Sequence, residues 1–170
     1  MPLYELLLTI ATLLVGLIAG FFFTFSVIFM PGLRRLTNKD YIRSFQAVDS
    51  VLQNSLPAVS TAPIFGVVFF CAIFSLIASA ALAIGIAGET DKILLVVAVL
   101  LYVFGMVLPT MRVHLPLNNK LQSLNVDTMS DEELAGARHN FEHVWVKWNV
   151  VRTVATILAF FILIVLCKNI

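Results

Sequence analysis

Four apolar runs, each long enough to cross a hydrocarbon layer of about 30 Å, divide this 170-residue chain: approximately Leu6 to Met30, Ala62 to Ala87, Ile93 to Met111 and Trp148 to Leu166. Lipid offers no hydrogen-bond partners, so each run must satisfy its own backbone as a helix, and the helices must bundle. Hydrophobic residues make up 60% of the chain and charged residues 12%, too few charges to cover a soluble domain of this size. The expected fold is therefore all-α: an integral membrane four-helix bundle forming one domain over residues 1–170. No internal repeat is visible. A net charge of +1 leaves no basic surface for nucleic acid, and the partner implied is the lipid bilayer. Cys71 and Cys167 lie within apolar runs and read as small buried hydrophobes. No basic residue precedes the first run, and Phe-rich sequence occupies the place of a cleavage site, so it reads as a retained span.

Lys and Arg are distributed unevenly between the connections. Arg34, Arg35, Lys39 and Arg43 follow the first span, and Arg112, Lys120, Arg138, Lys147 and Arg152 lie after the third span or at the start of the fourth. Only Lys92 and Lys168 lie elsewhere. This bias predicts both long loops in the cytoplasm and both termini outside. The short connection "IAGETDK" makes spans two and three antiparallel neighbours.

Both long loops carry helical signals. In the first, Asn38 is the expected cap of a helix whose apolar stripe is Tyr41, Phe45, Val48, Leu52 and Leu56. Gln46, Asp49 and Gln53 form a second, polar stripe. Such a helix would lie on the membrane surface or fold beneath the bundle. In the second loop "SDEEL" has the form of a capping box, Ser130 with Glu133. No proline interrupts the chain from there to Cys167, so the last span is expected to begin as a cytoplasmic helix. Along it Arg138, Glu142, Trp145, Asn149, Arg152 and Thr156 recur at steps of three and four and share one face. A polar and aromatic stripe descending into lipid should face the other spans, where its groups find partners.

Polar groups gather at the same end of the other spans. Span three closes in "LPTMRVHLPLNNKL", whose Pro109 and Pro116 should break or kink the helix and free carbonyls near His114, Asn118 and Asn119. Span one closes in "FFFTFSVIFMPGL". Apart from Glu5 no acidic residue lies near a span, which speaks against a channel or carrier with a charged path.

The elements "MPGL" after span one, "PLNNKL" after span three and "WVKWNVVRT" opening span four occur in an order that resembles the family of small four-span membrane proteins that includes the anthrone oxygenases. The resemblance runs from about Ala19 to Phe161 in span number, loop lengths and motif order. Trp148, Asn149 and Arg152 match the family's pattern at the start of the last span, and Pro116, Leu117 and Asn118 match its proline–asparagine element. His139 and His143 correspond to nothing in it. The resemblance implies an oxidoreductase that takes a flat apolar tricyclic ketone and uses dioxygen, without metal or flavin, to turn an acidic methylene into a carbonyl. Such chemistry needs an apolar slot, a base and oxyanion donors. The residues suited to these roles are His114 as base and Arg152 with Asn118 or Asn149 for the oxyanion. Phe25, Phe29, Trp145 and Trp148 would bind the substrate, a small apolar aromatic ligand.

The same residues admit readings without chemistry. Trp145 and Trp148 suit an interfacial aromatic belt. Arg152 suits snorkelling to headgroups, and Asn118 and Asn119 suit capping of carbonyls freed by Pro116. The protein would then be a non-catalytic binding or accessory protein. No cofactor is favoured. Were a metal present, His139 and His143, one helical turn apart, would bind it with His114. Gly16 and Gly20 form a GxxxG pair that suits helix packing within the chain or a homo-oligomer.

Overall fold

A computed structural model of the chain describes residues 2–53 and 62–168. It contains five helices: α1 (Leu3–Leu33), α2 (Asn38–Gln53), α3 (Ala62–Ile86), α4 (Glu89–Gln122) and α5 (Asp131–Cys167), and no strand among the described residues. All but α2 are long and apolar enough to cross a membrane. The chain is a multi-pass membrane protein. Its flanks agree with this, since Phe74 and Ile84 are 71% and 73% exposed, an exposure of large apolar side chains that water would not tolerate along a whole surface.

The four long helices pack in a ring in which α1 touches α3 and α5, and α4 touches α3 and α5. The α3–α4 turn, at residues 87 and 88, is as short as the sequence suggests. Leu8, Val15 and Ile18 of α1, Leu76 of α3, Leu95 and Met106 of α4 and Leu163 of α5 fill the interior. Close packing depends on two glycines. A Cβ on Gly16 would stand 2.7 Å from the ring of Phe160, and one on Gly105 would stand 2.3 Å from the Ala155 Cβ. Gly16 thus meets α5 of its own chain, whereas nothing lies within 4 Å of the Cβ position of Gly20.

The helices outrun the sequence expectation at the end where α2 and the loops lie, here called the capped end. Span three does not break at its prolines but continues to Gln122. Wide π turns make this possible: Phe25–Phe29, Val103–Val107 and Thr110–His114 stand just before Pro31, Pro109 and Pro116. Proline lacks an N–H and collides with the carbonyl four residues earlier. In each case that carbonyl belongs to a wide turn, which moves it aside and lets the helix go on.

A second core gathers beneath the bundle, where Tyr41, Ile42 and Phe45 of α2 pack with Met30, Leu33, Leu121, Leu134, Phe141 and Trp145. The amphipathic helix therefore folds under the spans. Its cap is Thr37 rather than Asn38: the Asp40 N–H donates to Thr37 Oγ1, while Asn38 Oδ1 accepts from Arg138. The cap falls one residue before Asn38 because Asn and Thr both cap well and Arg138 competes for the Asn38 amide. Leu56 lies outside the described residues. Burial, with Glu142 nearby, raises the Tyr41 hydroxyl above the ordinary phenol range.

At the head of α5 the capping box forms as expected, with Ser130 Oγ accepting from the Glu133 N–H and Glu133 accepting from the Ser130 N–H. One turn further on, Arg138 donates to the carbonyls of Arg34 and Leu36 in the turn that closes α1, and to Glu142. A cation on the last carbonyls of a helix is favourable in charge and in hydrogen bonding. Arg34 completes the group with its own ion pair to Glu142.

Candidate functional site

Where the two cores meet, a cavity of about 140 Å³ opens at the capped end, and every helix contributes to its wall. A dry cavity of about 150 Å³ takes one benzene ring, so about one ring of a ligand fits within it. Phe21, Phe22 and Phe25 come from α1, and Phe45, Val48, Asp49 and Leu52 from α2. Phe65 and Phe69 of α3, Thr110, His114, Leu115 and Asn118 of α4, and Trp145 and Arg152 of α5 complete it. Aromatic faces dominate. A shallow apolar hollow lined by Leu17, Ile18, Phe21, Leu52, Ile64, Phe65 and Val68 adjoins it, sharing Phe21, Leu52 and Phe65.

Helical periodicity puts Trp145, Asn149, Arg152 and Thr156 of α5 on the buried face, as their spacing predicts. Arg152 is 4% exposed and does not snorkel. Its Nη1 donates to Thr110 Oγ1 at 3.3 Å and its Nη2 to Asn149 Oδ1 at 2.8 Å. The guanidinium carbon lies 4.3 Å from the centre of the Phe22 ring and 5.4 Å from that of Trp145, two cation–π contacts. Its Nε is buried with no hydrogen-bond partner. Among the described residues, the ion pairs engage Arg34, Lys39, Arg43, Lys92 and Arg138, and none engages Arg152. A cation is thus held in an apolar wall with a donor unused.

Asn149 stands behind Arg152 and fixes it. Its Nδ2 donates to Ser26 Oγ at 2.8 Å and to the Phe22 carbonyl at 3.2 Å, beside the π turn of α1, which leaves Oδ1 for the guanidinium. Asn149 itself is not part of the cavity wall. Asn118 is part of it, and its amide is oriented by its neighbours. The Trp145 indole can only donate, so the bond from Nε1 to Asn118 Oδ1 at 3.0 Å turns Nδ2 toward Asp49, 2.7 Å away. Trp145 is 3% exposed and sits inside the bundle, not in a headgroup belt.

His114 borders the cavity and packs edge-on against Trp145. Both its ring nitrogens face backbone carbonyls, Nδ1 that of Pro109 at 3.2 Å and Nε2 that of Trp145 at 3.3 Å. Of the four expected substrate-binding aromatics, Phe25 and Trp145 line the cavity; Phe29 stacks behind Phe25 at 4.7 Å, and Trp148 is only partly buried and away from the wall. His139 and His143 are exposed on α5, apart from buried His114. Among the described residues no group of three or more His, Cys, Asp or Glu side chains is placed to hold a metal ion.

The expectation that no acidic residue but Glu5 lies near a span fails at Asp49. This carboxylate is 4% exposed and lines the cavity. Its Oδ1 accepts from Asn118 Nδ2, and its Oδ2 from Gln122 Nε2 at 3.2 Å. Gln46, one turn earlier, ties the same helix to the Leu121 and Leu124 carbonyls. The sequence signal was the polar stripe of α2. An apolar and a polar stripe side by side leave little of a helix for solvent, and both are used.

The family model for anthrone oxygenase matches residues 57–162. That is well over half the chain. This protein belongs to the anthrone oxygenase family. The matched segment carries His114, Asn118, Trp145, Asn149 and Arg152, while α2 with Asp49 and the Phe-rich end of α1 precede it. Neither the comparison with curated proteins nor that with solved structures gives a match.

Proposed function

We propose that this member of the anthrone oxygenase family is a membrane oxidoreductase. It binds a flat, apolar, enolisable ring ketone of the anthrone class in the capped-end cavity and oxidises its activated methylene with dioxygen. The ketone partitions into the bilayer and reaches the cavity by way of the apolar hollow beside Phe21 and Phe65. Its rings lie among the phenylalanines, and its carbonyl oxygen takes the open side of Arg152. Loss of a methylene proton gives the enolate, whose negative oxygen the guanidinium stabilises. The enolate is electron-rich enough to reduce dioxygen itself: carbon–oxygen bond formation gives a peroxide at the former methylene. Loss of the second proton with cleavage of the O–O bond leaves the new carbonyl and water. One ketone and one dioxygen become one quinone and one water, so no resident cofactor is required.

One observation carries this reading. A buried guanidinium, held against an aromatic ring with its Nε unpartnered, borders an aromatic cavity. Burying an isolated cation is costly, and a ligand that becomes anionic during reaction offsets that cost when charge develops. Arg34, Arg35, Lys39, Arg43, Arg112, Lys120, Arg138 and Lys147 support a cytoplasmic capped end. The test is an oxygen-electrode assay on purified protein in detergent with anthrone, following anthraquinone by absorbance. Saturable uptake of one dioxygen per anthrone is expected. A rate no higher than that of heat-inactivated protein in the same detergent contradicts the proposal.

A further inference from the structure

We infer that Asp49 is the group that takes the methylene proton. The inference rests on the reaction proposed above and names the base that reaction needs. Among the described residues, three side chains with ionisable groups border the cavity: Asp49, His114 and Arg152. Arg152 is the cation. His114 turns both ring nitrogens to backbone carbonyls. Whichever tautomer it adopts, its one lone pair points at a carbonyl oxygen, and the ring must abandon such a contact before it accepts a proton from a ligand.

Asp49 is built differently. It is buried at 4% exposure and borders the cavity from α2, the element beneath the bundle. Two amides set its orientation, Asn118 on one oxygen and Gln122 on the other. Asn118 is a positioning residue, because the Trp145 indole fixes which end of its amide meets the carboxylate. Asp49 and Arg152 border the same cavity from different helices. Carboxylate and guanidinium together give a wall of no net charge, suited to a neutral ketone. In the step, the carboxylate forms an O–H bond with the methylene proton. The C–H electron pair moves into the ring system, and the negative charge comes to rest on the ketone oxygen beside Arg152. Charge is conserved within the cavity, and no oxidant is needed until dioxygen arrives.

Because the step precedes oxidation, it can be isolated. The full chain in detergent is incubated with anthrone in deuterated buffer without oxygen, and loss of the methylene protons is followed by NMR alongside anthrone binding. A base contributes about 10²- to 10⁴-fold, so Asp49→Asn should lower protein-dependent exchange at least about 100-fold while anthrone still binds. Asp49→Ala should recover exchange as formate is added. In the wild type, anaerobic anthrone binding should produce the infrared band of a protonated carboxyl group, a readout that needs no variant to fold. Wild-type exchange in Asp49→Asn, or absence of that band as the enolate forms, overturns the assignment and leaves the proposed oxidation standing. A wild-type protein that binds no anthrone overturns both.

Discussion

Replacing Arg152 with Gln separates a catalytic guanidinium from one that only locks helices. The substitution removes the charge but keeps an amide that can still reach Asn149 or Thr110. One charge-assisted hydrogen bond is lost, about 1.5–3 kcal/mol, together with the desolvated contact on Phe22, about 2 kcal/mol. Against this, a charge within the spans no longer has to be buried, which returns about 2.5–3.5 kcal/mol. The terms nearly cancel, leaving a net loss below about 2.5 kcal/mol. At about 2–4 °C per kcal/mol for a chain of this size, the melting temperature should fall by less than ~10 °C. Turnover should fall about 10²- to 10³-fold, as for loss of an oxyanion donor. Thermal unfolding in detergent, followed through the tryptophan fluorescence of Trp145 and Trp148, gives the first quantity, and the oxygen electrode gives the second. Normal turnover per folded molecule combined with a collapse in melting temperature would refute the reasoning and make Arg152 a structural lock.

Three other substitutions have definite outcomes. Gly105→Ala places a Cβ 2.3 Å from that of Ala155 and should cost about 1–3 kcal/mol; adding Ala155→Gly should recover part of the loss in a thermal melt, because the two sites are coupled. Trp145→Phe keeps the ring packing but leaves Asn118 Oδ1 without its donor. It should cost about 1–3 kcal/mol and lower kcat more than it raises KM, since the aim of Asp49 is disturbed. Asp127 is held below the usual carboxylate range, chiefly by its hydrogen bond from Lys39 and also by Arg43. A lowered folded value means its contribution is present above the unfolded pKa of about 3.9 and disappears as pH falls through the folded value. Asp127→Asn should therefore melt slightly below the wild type at neutral pH, with the gap closing under strong acid.

Much of the architecture was legible because helices convert spacing into position. The span lengths, the short α3–α4 turn, the Ser130–Glu133 box and the inward stripe from Arg138 to Thr156 all follow from local rules. Continuation of α4 past Pro109 and Pro116 did not, because a π turn leaves no mark in composition. The reach of α2 was also hidden. Its two stripes indicate a helix with two buried faces, yet which of them meets the spans depends on the loop before it and on the amides of Asn118 and Gln122. The polar stripe marks Gln46 and Asp49 as sharing a face, but nothing local shows that this face carries Asp49 to the cavity. The aromatic wall was half visible: Phe25 and Trp145 were expected, whereas Phe45, Phe65 and Phe69 join them only through tertiary packing.

The most direct measurement is the ionisation of bound anthrone in the absence of oxygen. If a buried guanidinium stabilises the enolate, the anthrolate absorption band should appear on the protein at a pH where anthrone in the same detergent remains the ketone. The band should weaken strongly in Arg152→Gln. Bound anthrone that stays ketonic, ionising at the same pH as the free compound, would contradict the account.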